Sequence, residues 1–304
     1  MPLINGIQVP SWQDTAREVV KHLGITLSPE QDEIFYDDAR IKILCGGEGS
    51  SKSFMGSLYG VARSQHDAMA ASLLNTGFGN LYWVVGHDFE TARREFGSVE
   101  MDDMLLPWIR SLGDLNSDRT SAPARYDQPC VLQTKRYQQV FRTISGYDAQ
   151  KIGREEPTGI IGCEVSLWGE EIWERCYGRL ARLYPHSWGW FSGSPERDAG
   201  WFDELVNLGD HDNDRDIRSY HLPSWANPSV YPGGREDPAI VQLEGSMSYD
   251  RFMRRHGGII TAPTDAVLPE FDANMHIGDF SYRPDLPVHI AIDPGHLVYA
   301  VLFI

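Results

Sequence analysis

Hydrophobic and polar positions along the chain change period several times, and each change marks an element. Residues 14–23 (DTAREVVKHL) repeat apolar positions at helical spacing and predict an amphipathic helix. Residues 28–39 (SPEQDEIFYDDA) predict a second, with Ser28 as N-cap and Pro29 in the first turn. IKILC (41–45) is a short apolar strand; a glycine-rich stretch follows at once, and KSFMGSLYGVARSQ then predicts a helix. LYWVVG (81–86) is a second buried strand, followed by a helix from about Asp88 to Phe96. PCVLQT and QQVFRTISG predict antiparallel strands around KRYQ. TGIIGCE (158–164) is a further apolar strand, EEIWERCYGRLARLY (170–184) a helix, and WGWFSGSPE (188–196) a strand running into a turn. Strands alternating with helices imply an α/β fold, its sheet mainly parallel and covered by helices on both faces.

Beyond this core the pattern loosens. Residues 197–257 are mixed and helical, with turn-rich breaks such as ANPSVYPGGREDP, and 261–287 are punctuated by proline and read as a linker. In VHIAIDPGHLVYAVLFI (288–304) one apolar strand, a turn at Asp293–His296 and a second apolar strand succeed each other. A strand as apolar as VYAVLFI needs a sheet and helices to cover it, so this segment is expected to open a further domain.

Composition narrows the choice of partners. The formal net charge of −16 argues against broad nonspecific attraction to nucleic acid or an anionic membrane, although the 27 lysines and arginines can still line a local groove. No two of Cys45, Cys130, Cys163 and Cys176 have CxxC spacing, which disfavours a zinc site or disulfide framework and fits a reducing cytosol. The first residues lack a basic stretch followed by an apolar one, and no run approaches the roughly 18 apolar residues of a membrane span.

The glycine-rich stretch carries the first chemistry. Gly46-Gly47-Glu48-Gly49-Ser50-Ser51-Lys52-Ser53 matches the phosphate-loop pattern GxxxxGK[ST], except for Ser51 in place of the last glycine. Glycines let backbone N–H groups face phosphate oxygens, and the following helix N-terminus adds its dipole. Lys52 is placed for the β- and γ-phosphates of ATP and the Ser53 hydroxyl for Mg²⁺. Ser51 is compatible with this loop if its φ stays below zero. Glu48 repels phosphate unless it points outward.

Such a loop works with an acid at the tip of a neighbouring strand, which activates the attacking water. Glu164, ending TGIIGCE, takes that role; Cys163 stands where an aspartate is expected, and Glu170–Glu171 are the alternative acids, more suited to charge at a helix N-terminus. Ser192, Gly193 and Ser194, before Pro195, either touch the γ-phosphate and relay hydrolysis onward or form a plain turn. Gln31 is placed to contact adenine through its amide or is an ordinary helix glutamine. Among Arg142, Arg154, Arg179 and Arg182, the loop position of Arg154 suits insertion into a neighbouring subunit, with an ion pair to Glu155 or Glu156 as the other reading. Asp293, ending an apolar strand, is either a nuclease Mg²⁺ ligand or part of an Asp-Pro-Gly hairpin turn.

In order along the chain, SPEQ, GGEGSSKS, LYWVVG, GIIGCE, YGRLARLY, SGSP, SWANPSVYPGG, VLPEFDANMHI and HIAIDPG together resemble the large terminase subunit of tailed bacteriophages. The resemblance spans nearly the whole chain. It implies a P-loop NTPase of the RecA/ASCE-like class: an ATPase core over 1–200, a small lid subdomain over 201–260, a linker over 261–287, and over 288–304 the start of an RNase H-like nuclease domain. It implies ATP hydrolysis driving translocation of double-stranded DNA into a procapsid, with Mg²⁺ as cofactor. Gln31 and Gly46 to Ser53 would bind ATP, Ser53 the Mg²⁺, Glu164 would be catalytic, Arg154 would act in trans, and Ser192, Gly193 and Ser194 would couple hydrolysis to motion. Asp293 would be one acid of an incomplete nuclease site, so that cutting would require the full C-terminal domain. The implied partners are double-stranded DNA, the portal protein, the small terminase subunit and other copies in a ring, usually of five, without a membrane. The implied location is the host cytoplasm, transiently at the procapsid portal and not in the mature virion. Two departures stand out: Glu48 where many members carry arginine, and Cys163 for the usual aspartate. A helicase-like ATPase, a nucleotide kinase, or a non-catalytic scaffold with a vestigial loop are the competing readings.

Overall fold

Successive side chains along each strand point to opposite faces of one sheet, and in its central strands both faces are buried. The structure, a computed structural model, describes residues 3–4, 7–74, 79–97, 104–123, 125, 127–147, 152, 155–195, 200–211, 216–261, 290–294 and 299–303. After a short antiparallel pair, β1 (Leu3–Ile4) and β2 (Ile7–Gln8), come helices α1 (Trp12–His22) and α2 (Pro29–Tyr36). Then follow β3 (Ile41–Gly46), α3 (Lys52–Leu74), β4 (Leu81–Gly86), α4 (Phe89–Phe96) and α5 (Leu105–Ser111). Next are β5 (Val131–Gln133), β6 (Val140–Ser145), β7 (Gly159–Gly162), α6 (Glu170–Ala181), β8 (Trp188–Gly193), α7 (Gly200–His211), β9 (Ile217–Leu222), α8 (Pro238–Gly245) and α9 (Tyr249–Phe252). The main sheet has seven strands in the order β5-β6-β4-β7-β8-β3-β9, parallel throughout except for the β5–β6 pair.

Two cores follow from this arrangement. Ile41, Ile43, Cys45, Trp83 and Val85 pack with Cys176 and Leu180 of α6 and Phe202 and Val206 of α7. Leu44, Tyr82, Val84, Trp188 and Trp190 face the other way, onto Met55, Leu58 and Tyr59 of α3 and helices α1, α2 and α5. Period-two patterning in the strands thus meets helical stripes on both sides. Among the described residues, no helix is long and apolar enough to cross a membrane.

The elements read from the pattern are present, with shifted ends and four additions: the paired β1 and β2, α5, and β9. α2 stops at Tyr36, because Asp37 turns extended and accepts from the Ala39 N–H. α5 was not anticipated: Pro107 looks like a breaker, yet it sits in the first turn, where no N–H is needed. β9 lies inside the stretch expected to be mixed and helical. Ile217, Ser219 and Leu222 are buried while Arg218 and His221 are exposed, as suits an edge strand. The chain divides into two compact units, Met1–Ala262 and Pro263–Ile304. In the second, β10 (Ile290–Pro294) and β11 (Tyr299–Phe303) pair antiparallel.

One glycine is dictated by a close approach. Gly159 of β7 lies opposite Trp188 of β8, and a methyl group there would fall 2.2 Å from the indole Cζ2. Trp188 is fully buried, donates to Asp67 at 2.8 Å and packs edge-on to Tyr59. It has no room to retreat. Gly159→Ala is therefore expected to destabilise the protein by about 1–3 kcal/mol, read as a lower urea midpoint at unchanged m-value; an unshifted midpoint would contradict this packing.

Candidate functional site

The turn between β3 and α3 presents one side of its backbone to a pocket and the other to the chain after β9. On the outer side, the Gly47 N–H donates to Leu222 O and the Glu48 N–H to Arg255 O, both at 2.9 Å. Ser224 Oγ donates to Glu48 O at 2.5 Å and Asn227 Nδ2 to Gly49 O at 2.7 Å. The packing is tight: a Cβ on Gly47 would lie 2.3 Å from His256 O. On the inner side, among the described residues, the N–H groups of Gly49, Ser51, Lys52, Ser53 and Phe54 have no acceptor. Unpaired N–H groups at the start of a 23-residue helix form a cradle for an anion.

Ser51 corrects the expectation set for it. Its φ is +76°, in the left-handed region, as is that of Gly49 at +73°. The serine keeps the backbone shape for which the pattern uses glycine, at the expense of strain. Glu48 does point outward. Its carboxylate pairs with Arg255, so it adds no free negative charge to the cradle.

The pocket over the cradle has a volume of about 420 Å³ and is lined by the loop, Gln31, Met104, Glu164 and Asn227. Lys52 Nζ is turned back onto Gly46 O (3.3 Å), Gly47 O (3.0 Å) and Ser194 Oγ (2.8 Å), so the lysine and the end of β8 are in direct contact. Ser192 is buried and donates to Gly162 O at 3.4 Å; Gly193 leaves too little space for a side chain beside Ser166. Gln31 is buried at the pocket wall. Its Oε1 accepts from the Ser28 N–H at 2.9 Å in a capping box, so the amide Nε2 is the end left for a ligand.

Glu164 faces the same pocket from the end of β7, at φ +47°. Glu170 and Glu171 open α6 as exposed first-turn acids, away from the pocket. Glu155 and Glu156 are paired with Arg142 and Arg182, each at 2.9 Å. Arg154 lies outside the described residues. So does the side chain of Asp293, whose strand position pairs with Ala300.

Glu95 lies beside the residues of this pocket, though no sequence motif marks it. It sits on the buried face of α4 with Ala92 and Phe96, and a charged residue on an apolar helical face was the available signal. Burial pushes its carboxyl pKa well up and Glu164 adds to this, while Cys163, Ser53 and Lys52 pull it down. The Cys163 thiol beside it is pushed well up by burial and by the two carboxyls. Among the described residues, no trio of His, Cys, Asp or Glu forms a ready metal cage. A cation at the Ser53 hydroxyl would draw its other ligands from water and a bound anion, as Mg²⁺ does. Donors, lysine and acid on one pocket can bind a phosphate chain and activate water against it.

No protein-family model matches the sequence, and no curated protein relative matches it. By structure, the chain is similar to the large terminase ATPase domain of Thermus phage P74-26, with a TM-score of 0.59 and 17% identity over 83% of this chain and 99% of that one. It is also similar to the large terminase of a second, thermophilic bacteriophage in complex with ADP, with a TM-score of 0.54 and 15% identity over 92% of this chain and 65% of that one. The fold is that of the terminase ATPase domain, and the chain spans about two thirds of the ADP-bound terminase.

Two outcomes are expected from this geometry. Ser51→Gly removes about 1–2 kcal/mol of strain and loosens the unfolded chain by roughly 0.4–1 kcal/mol. A net gain of about 0.5–1 kcal/mol in unfolding free energy is expected; a loss would show that Ser51 is unstrained. His256 is held below its ordinary pKa by burial, with Arg255 adding to this and Glu48 opposing it. The folded state thus prefers the neutral ring, and its stabilising share is complete above about pH 6.5 and lost as pH falls below that. Tm should drop more between pH 7 and pH 5 in the wild type than in His256→Asn.

Proposed function

We propose that this chain is the ATPase motor of a phage DNA-packaging machine, hydrolysing ATP to drive double-stranded DNA into a procapsid. The observation that carries this is the joint placement of the unpaired loop N–H groups, Lys52 and Glu164 on one pocket, with Ser194 on the lysine. The loop amides and Lys52 hold the phosphates. Ser53 contributes a hydroxyl to Mg²⁺, which when bound neutralises phosphate charge. Glu164 orients water and takes its proton. Gln31 contacts adenine through Nε2.

Coupling runs through β8. Ser194 hydrogen-bonds Lys52 at one end of a strand whose other residues are locked between β7 and β3, so changes at the phosphates reach Pro195 and the chain beyond. Arg154 of a neighbouring subunit supplies transition-state charge in a ring, probed by whether turnover rises with protein concentration. Within 201–260, α7 and β9 belong to the main sheet and its cover, so the lid expected over that whole segment shrinks to the chain after β9, whose Asn227 to Val230 line the pocket and close over the nucleotide; 288–304 opens a nuclease domain in which Asp293 is one acid. The portal protein, the small terminase subunit and DNA are the partners, met in the host cytoplasm at the procapsid.

Glu164→Ala should lower ATP turnover by roughly 100- to 10,000-fold in assays with and without double-stranded DNA, while a fluorescent ATP analogue binds within about threefold of wild type. Turnover that survives the substitution would remove Glu164 from the mechanism.

A further inference from the structure

The acid that a phosphate loop borrows from the neighbouring strand is missing here, since Cys163 stands directly after β7 and before Glu164. We propose that Glu95 of α4 replaces it, holding the water shell of the divalent cation bound at Ser53. This rests on reading the pocket as a Mg-nucleotide site.

Three observations place Glu95 there. Its carboxyl stands beside both the Ser53 hydroxyl and the Cys163 thiol, the two positions that an aspartate at the strand end would bridge. The residue is 2% exposed, yet Glu95 Oε2 has no hydrogen-bond partner. A buried carboxyl oxygen without a partner is an unfavourable arrangement that an arriving cation and its waters relieve. Finally, the surroundings are built to admit it. Ser53 and Gly56 are three residues apart on one face of α3, and a Cβ at Gly56 would lie 2.8 Å from Glu95 Oε2. Ser57 Oγ donates to Glu95 O at 2.6 Å and fixes the end of α4 against α3. The acid therefore reaches the metal position from a helix packed beside the loop helix, not from the strand.

The rival is a structural role, in which Glu95 serves the neighbouring indole of Trp190, whose Nε1 is also buried and unpaired. The experiment compares wild type, Glu95→Gln, and Glu95→Gln combined with Cys163→Asp. Fluorescent ADP binding is measured in EDTA, Mn²⁺ binding to the ADP-loaded protein by the EPR signal of free Mn²⁺, and Tm without ligand. Glu95→Gln should bind ADP in EDTA within about twofold of wild type, melt at the same or a higher temperature, and lose about 10- to 100-fold in Mn²⁺ affinity. The double variant should recover most of that loss. Mn²⁺ affinity within twofold of wild type in Glu95→Gln overturns the proposal. A lower Tm with weakened ADP binding in EDTA also overturns it, in favour of the structural role. Wild type that binds no ADP, with or without Mn²⁺, overturns the nucleotide reading and this proposal with it.

Discussion

The site depends on a division of labour among the peptide groups of one loop. The outward N–H groups of Gly47 and Glu48 are spent on Leu222 O and Arg255 O, while those of Gly49 and of Ser51 to Phe54 stay unpaired. A backbone donor not used in folding must be anchored from behind, or the loop collapses to satisfy it. Here the anchor is the chain that follows β9, pressed so close that Gly47 and Gly258 have no room for side chains. The last strand of the sheet and the helices after it are thus part of the loop's foundation, although they lie far downstream of it in the chain.

Strain gathers around the same pocket. Ser51 and Glu164 are two of three non-glycine residues with positive φ among the described residues, and both face the cavity. Such conformations persist where the surroundings over-determine them. Glu164 is held by the parallel pairing of β7 between β4 and β8 and by the turn Val165–Leu167 that it caps. The Glu48–Arg255 pair is of a different kind. It is half exposed and contributes little energy, but it turns the acid away from the anion cradle.

Much of the fold was legible because strands buried on both faces read as apolar runs, and the helices between them carry one apolar stripe. The loop was legible from local spacing alone. Three things were not. β9 alternates with charge, so its pattern resembles a surface segment until a neighbour buries one face. Ser51's backbone angle is imposed by the anchored loop, against the preference of its own side chain. Glu95 lies 42 residues from Ser53 in sequence, and only the packing of α4 on α3 joins them.

Lys52 has a wider consequence. An ammonium group has three N–H bonds, and its three acceptors, Gly46 O, Gly47 O and Ser194 Oγ, already use them all. An incoming anion cannot simply be added to this lysine; it must evict one of the three. The two carbonyls are fixed in the loop, whereas the serine hydroxyl sits on the last stretch of chain before Pro195. Engagement of Lys52 by an anion is therefore an exchange reaction, and the partner it turns out is the hydroxyl at the end of β8.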